Sequence, residues 1–298
     1  MQTFLTIITI CMPSYLVTGA NGQLGQCFRA IEKEFPNHQI IFSNRNTVDI
    51  TFPETLQKIY DIHPFDGIIN CSAYTQVDKA EEEFKTANKI NAKGVANLCA
   101  FTKKTKISLV HFSTDYIFDG TTSIPYKESH KSNPINAYGK SKYKGEKKLK
   151  NAKCRNTTTI RISWLFSPFG ENFVKTILKL SKTKEKIKVV NDQWGRPTYG
   201  IDLARKVLTY IGESHFFDYD CYHFSQTGAI TWFNLAHKII SIKKRPCKIT
   251  PCSTLEFPTL AKRPQYGVLD TTRIENHFSF QPLTWEVALE DCLNRIQS

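Results

Sequence analysis

The chain has 298 residues, 41% of them apolar and 22% charged, ordinary usage for one large or two modest globular domains, which excludes wholesale disorder and collagen-like repeats. Forty Lys and Arg against 27 Asp and Glu give a formal charge of +13. The lysine runs at 147–150 and 182–188 come with no zinc-finger spacing and no RNA-binding aromatic motif, so they read as solvated surface and not as a nucleic-acid face. No window approaches 18 uninterrupted apolar residues, which excludes a membrane-spanning helix and any membrane role. Nine scattered cysteines without a C-x-x-C pair exclude a zinc ribbon or a tidy disulfide framework and fit a reducing, cytoplasmic setting.

The opening stretch MQTFLTIITICM is apolar and β-prone, with no basic segment and no small-residue cleavage site. It does not read as a secretory leader, and residues 1–11 are expected to form an extension outside the core. From Ser14 the pattern is strand, glycine turn, helix, repeated. Strands are expected at Tyr15–Thr18, Gln39–Phe42, 66–70, Ile107–Phe112 and Thr158–Ile162. Between them come helices at Gln23–Phe35, Pro53–Ile62, Val77–Thr102 and Pro134–Lys150. Continuous apolar strands alternating with helices indicate an α/β, doubly wound parallel Rossmann sheet over residues 12–162. Beyond Ser163 the alternation becomes irregular, which suggests a smaller substrate-binding part made of 163–197 and 219–298, with 198–218 returning to the first domain.

Gly19, Gly22 and Gly25 form G-x-x-G-x-x-G between the first strand and its helix, where backbone N–H groups and the helix dipole suit a pyrophosphate. After the second strand comes Ser43-Asn44-Arg45 in place of the carboxylate that would hold a ribose 2′-hydroxyl. These groups can accept a 2′-phosphate, so NADPH is expected, with NADH left open. Tyr138 and Lys142 stand at i,i+4, where an ammonium would lower the tyrosine pKa and ready the phenol to pass a proton to a carbonyl oxygen. Tyr143 and Lys147 repeat the spacing. Tyr138, however, falls in the first turn of its helix, where a side chain can face a cleft, and Tyr143 lies deeper. Thr114, in Ser113-Thr114-Asp115 at the carboxyl end of the fourth strand, completes the catalytic trio.

Together these residues carry a resemblance. The run from His111 to Gly120, Pro125 to Glu128 and PINAYGKSKYKGE at 134–146 resembles the extended short-chain dehydrogenase/reductases. More narrowly, NCSAYTQVDKAEE at 70–82, Arg161 to Trp164, NDQWGRPT at 191–198, Arg263-Pro264 and Leu269-Asp270 are similar to the dTDP-4-dehydrorhamnose reductases. The resemblance spans 14 to about 293. It implies NAD(P)H-dependent reduction of the C4 ketone of a dTDP-4-keto-6-deoxy-L-sugar to dTDP-L-rhamnose. By position it implies that Gly22, Gln23, Leu24, Ser43, Asp49, Ile50, Ala73, Tyr74 and Thr75 line the cofactor, and that Lys142 binds its nicotinamide ribose. Tyr138 would be the proton donor, Thr114 and Asp115 would hold the sugar, and Trp164 would pack against it. The resemblance also allows Mg²⁺ at a homodimer contact; no ligands for it are identified and no metal site is assigned.

Three other readings stand beside this one. Bifunctional epimerase/reductases place a cysteine two residues past the Thr114 position, where this chain has Tyr116; Cys71 and Cys99 read as core. Epimerisation is therefore expected from another protein. The regulatory β subunit of methionine adenosyltransferase shares much of the motif set without catalysis, and a UDP-sugar 4-ketoreductase would use the same trio. Consumption of NADPH with a 4-keto nucleotide sugar separates an enzyme from a regulatory subunit.

Overall fold

The computed structural model describes residues 12–213 and 215–296; the expected extension at 1–11 lies outside them. Five parallel strands, β1 (Ser14–Thr18), β2 (Gln39–Ser43), β3 (Gly67–Asn70), β4 (Ser108–Thr114) and β5 (Thr157–Ile162), form one sheet with the strand Cys221–Phe224. The order is Cys221–Phe224, β5, β4, β3, β1, β2, so the chain reverses direction across the sheet at β1. β1 and β3 are buried along their whole length, as strands covered on both faces must be. Their carboxyl ends align, Thr18 beside Asn70 and Asn70 beside His111, and open the crevice where such sheets bind ligands.

The expected helices form with shifted bounds. Gln23–Ile31 buries Leu24, Cys27, Phe28 and Ile31 at helical spacing, and Pro53–Ile62 starts on its proline. The helix starting at 134 begins instead at Ala137, because Asn136 caps it and Pro134 stays outside. The single helix expected over 77–102 is broken into Lys79–Glu82, Phe84–Asn88, a π-helical segment Lys89–Gly94 and Val95–Thr105. The π segment packs closely on both sides: a Cβ on Gly94 would lie 2.7 Å from the Ile50 side chain, and one on Gly145 would lie 2.2 Å from the Asn91 carbonyl.

The helix Gly200–Tyr210 lies against Gln23–Ile31: Ile201, Leu203, Ala204 and Val207 share a core with Leu24, Cys27 and Phe28, and Arg205 pairs with Glu34. The sheet also takes in Cys221–Phe224 from the span expected to belong to the substrate part. The rest of the second half is built from two-stranded pieces and the helices Phe173–Leu180, Trp232–Ile242 and Trp285–Arg295. Leu235, Ile239, Leu289 and Leu293 join the core that Tyr15 and Val17 begin, so both halves rest on one apolar interior. Among the described residues no helix is long and apolar enough to cross a membrane, and all eight described cysteines are free.

Candidate active site

The chain leaves β1 at Gly19, whose φ of +64° lies in the left-handed region and where a Cβ would come 2.8 Å from the Ser72 amide nitrogen. Gly22 begins the helix Gln23–Ile31 with no side chain capping it, so the first-turn N–H groups are left to a ligand at the positive end of the helix. That combination of turn, bare helix end and adjoining groove fits a dinucleotide pyrophosphate. Gly25 does a different job. A Cβ there would stand 2.5 Å from the Ala20 Cα and the Gly19 carbonyl, so this glycine brings the helix down onto the turn.

A groove of about 310 Å³ continues from the turn between Gly19, Gly22, Arg45, Asp49, Ile50 and Ala73. Ser43 is not on its wall; the hydroxyl is buried and meets the Thr47 hydroxyl at 3.0 Å, organising the loop from within. Arg45 reaches the wall with its side chain 76% exposed and its Nε 3.2 Å from Asp49 Oδ2. Burial raises the Asp49 carboxyl pKa, but the Thr51 N–H and hydroxyl and the Arg45 guanidinium outweigh it and hold the group below its ordinary range.

Gly22, Cys71 and Ala73 also wall a second cavity of about 390 Å³ that collects Thr114, Tyr138 and Lys142. Gln23, Leu24, Thr75, Asp115 and Trp164 line it too. The helix Ala137–Ala152 is fixed at its start: Asn136 Oδ1 accepts from the Gly139 N–H at 2.7 Å, and Gly139 packs so closely on the Tyr116 carbonyl that a Cβ would lie 2.1 Å away. Tyr138 is thereby held in the first turn, facing the cavity. One turn on, Lys142 is buried and its Nζ donates to the Phe112 carbonyl at 2.6 Å. The Thr114 hydroxyl donates to Asp115 Oδ1 at 3.0 Å and accepts from the Tyr116 N–H at 3.2 Å.

The electrostatics correct one expectation. Lys142 directs its ammonium to a backbone carbonyl, and the Tyr138 phenol is pushed up, by burial first and then by the Asp115 carboxylate, with the Thr114 hydroxyl opposing. Tyr138 therefore carries its proton at neutral pH, as a donor must. Burial pushes Lys142 down to about 8 against the pull of Glu146, and pushes the Asp115 carboxyl up to about 7. The Cys71 thiol, expected in the core, reaches both cavities, but burial raises its pKa well above the ordinary value and keeps it neutral. Among the described residues no group of three His, Cys, Asp or Glu side chains could hold a metal ion.

Tyr74 lies beside the cavity and not on its wall. Its hydroxyl donates to Glu83 at 2.9 Å, and its ring shares an apolar cluster with Ala137 and Tyr138. Trp164 holds a φ of +47°, a conformation that costs an L-residue roughly 1–2 kcal/mol. A larger cavity, about 710 Å³, lies behind the Tyr138 helix between Tyr143, Lys147, Lys150 and Arg161; it contains none of the convergent hydroxyls.

A family described as RmlD substrate binding domain matches residues 14–298. The chain belongs to the dTDP-4-dehydrorhamnose reductase family. It is 36% identical to the dTDP-4-dehydrorhamnose reductase of Aggregatibacter actinomycetemcomitans over 290 residues, 94% of this chain and 98% of the relative. The crystal structure of a dTDP-4-dehydrorhamnose reductase from Clostridium acetobutylicum superposes with a TM-score of 0.90 at 38% identity, covering 96% of this chain and all of that one. The Bacillus anthracis dTDP-4-dehydrorhamnose reductase, solved in complex with NADP, matches at 37% identity and a TM-score of 0.90, covering 95% and 99% of the two chains.

Within this family fold, several residues around the site went unnoticed in the sequence. Asn91, on the π-helical segment, accepts from the Tyr74 N–H at 2.9 Å and donates to the Tyr74 carbonyl at 3.0 Å and to the Ser141 hydroxyl at 2.9 Å. It thus ties the 73–75 loop to the helix of Tyr138. Asp78 forms a two-point pair with Arg263 at 2.6 and 2.7 Å, joining the two halves of the molecule next to Val77 on the cavity wall. Trp232 lines the cavity from the far half. No local pattern marks Asn91, which the sequence places inside one continuous helix, and the other two depend on contacts more than 60 residues apart.

Proposed function

We propose that this chain uses NADPH to reduce the C4 ketone of a dTDP-4-keto-6-deoxy-L-sugar to dTDP-L-rhamnose, with Tyr138 as proton donor. The observation that carries the reading is the convergence of Thr114, Tyr138 and Lys142 on one cavity that shares its wall with the glycine groove. The NADP complex of the Bacillus anthracis relative supports the cofactor, and the names of the relatives support the substrate. The bound nicotinamide supplies the hydride that C4 receives.

This chain's residues do the rest. The bare helix end and the Gly19 turn hold the pyrophosphate, and Arg45 faces a 2′-phosphate once its contact with Asp49 is shared. Lys142, anchored on the Phe112 carbonyl, takes the nicotinamide ribose hydroxyls. Thr114 and Asp115 orient the sugar, and Tyr138 delivers its proton to O4 as the carbon is reduced. Of the other titratable groups on the cavity wall, burial pushes the Tyr116 phenol up and keeps the Cys71 thiol neutral, and Asp115, pushed up to about 7, is engaged by the Thr114 hydroxyl and taken up in orienting the sugar. Epimerisation is left to a separate protein. Tyr138→Phe tests the assignment. Turnover should fall by about 10²–10⁴ with NADPH affinity retained, and a variant keeping more than about a tenth of wild-type kcat would exclude Tyr138 as the acid.

A further inference from the structure

Trp164 does not stand alone at the far wall of the catalytic cavity. Its indole stacks on that of Trp232, ring centroids 3.6 Å apart and planes 12° from parallel, and Trp232 in turn meets Phe173 at 4.6 Å. Trp164 and Trp232 both line the cavity that holds Thr114 and Tyr138. The backbone of Trp164 is left-handed, which a bulky residue adopts only when its surroundings impose it.

The surroundings are built by the NDQWG segment, to which the chemistry above gives no task. A Cβ on Gly195 would lie 2.5 Å from the Trp164 ring, so a glycine there is what lets the indole lie down. The same segment pairs antiparallel with the residues ahead of Trp232, Gly195 beside Ile230 and Trp194 beside Thr231. Thr231 caps the helix Trp232–Ile242 in a reciprocal box with Asn234, and its hydroxyl donates to Asn191 Oδ1 at 2.7 Å. One short stretch of sequence thus seats both indoles, one by making room and the other by fixing a helix start.

We infer that Trp232 is a specificity-determining residue for the sugar half of the substrate. With Trp164 it forms a rigid aromatic wall that accepts the C–H face of a 6-deoxy sugar ring, where an added hydroxyl would be desolvated against ring carbon. The inference deepens the substrate reading above and rests on it.

The test compares wild type, Trp232→Phe and Trp232→Ala by calorimetric binding of dTDP-L-rhamnose, of dTDP alone and of NADPH, with the near-ultraviolet circular dichroism of the stacked indoles as a second readout. Trp232→Ala should bind dTDP-L-rhamnose at least tenfold more weakly, while its affinities for dTDP and NADPH stay within about twofold of wild type. Trp232→Phe should recover most of the loss. In wild type, dTDP-L-rhamnose should perturb the indole couplet and dTDP should not. Equal loss of all three ligands in Trp232→Ala, or undiminished affinity for dTDP-L-rhamnose, would overturn the role of Trp232 and leave the reductase reading standing. A wild-type protein that binds dTDP but not dTDP-L-rhamnose would overturn both.

Discussion

Removing the Glu146 carboxylate should unsettle the catalytic helix from behind, and the effect can be sized. Arg161 on β5 donates to Glu146 through Nε at 3.1 Å and Nη2 at 2.8 Å, and both side chains are only 9% exposed. In Glu146→Gln the guanidinium stays buried without its counter-charge. Breaking one side of such a pair costs about 3–5 kcal/mol, against about 0–1 kcal/mol for a surface pair. For a chain of this length that is a fall in Tm of roughly 5–8 °C. The His223 ring, 3.3 Å from Arg161 Nη1, cannot take over: burial and Arg161 hold it neutral, and an imidazole has no negative charge to offer a guanidinium. Glu146 also lies one helical turn beyond Lys142 and raises its pKa, so activity, which needs the ammonium, should lose its alkaline limb at lower pH than in wild type. Thermal unfolding and a pH profile of kcat/KM measure both. Glu146→Leu with Arg161→Met should recover much of the stability, since it strands no charge. A single-variant loss below about 1 kcal/mol with an unmoved limb would refute this account.

Wild-type activity should itself fall as pH rises through about 8, where Lys142 loses its proton. The folded value lies below the unfolded one near 10.4, so the native state binds fewer protons in that window and Lys142's contribution makes stability rise with pH between the two, as urea unfolding at pH 7.5 and 9.5 would show. Tyr143→Phe should leave kcat within about twofold, because its ring sits under Lys147 on the far side of the helix. NADPH should show a lower KM than NADH, and Arg45→Ala should narrow the gap by about 1–2 kcal/mol; equal values in wild type would sink the assignment of that loop. Gly25→Ala should destabilise by about 1–3 kcal/mol and weaken NADPH binding, because the new methyl meets backbone at 2.5 Å; unchanged affinity would show that the turn has slack.

Much of this architecture could be read from the chain. β1 to β5 declare themselves as continuous apolar runs because they are covered on both faces, and the glycine turn and the Tyr138–Lys142 spacing are local patterns that need no tertiary knowledge. The segment 77–102 misled because its apolar spacing continues through Glu83 and Asn91, while the break and the π turn answer to packing against Ile50, Tyr74 and Gly145. Ser43, expected just past the second strand and on the cofactor, instead closes β2 and turns its hydroxyl inward toward Thr47, which no local pattern shows. Lys142's choice of the Phe112 carbonyl over the phenol lies between two elements and leaves no trace in spacing. The two-residue strands around Gly195 and Thr231 are too short for any periodicity, which is why the aromatic wall they seat is a property of the fold.

The most direct test is NADPH oxidation by the purified chain given dTDP-4-keto-6-deoxyglucose in deuterated water, with and without an added 3,5-epimerase. A single committed proton donor, Tyr138, predicts no deuterium at C3 or C5 and no dTDP-L-rhamnose from the chain alone. Prompt oxidation with formation of dTDP-L-rhamnose should follow once the epimerase is present. Deuterium at either carbon without the partner, or no NADPH consumption with it, would contradict the account.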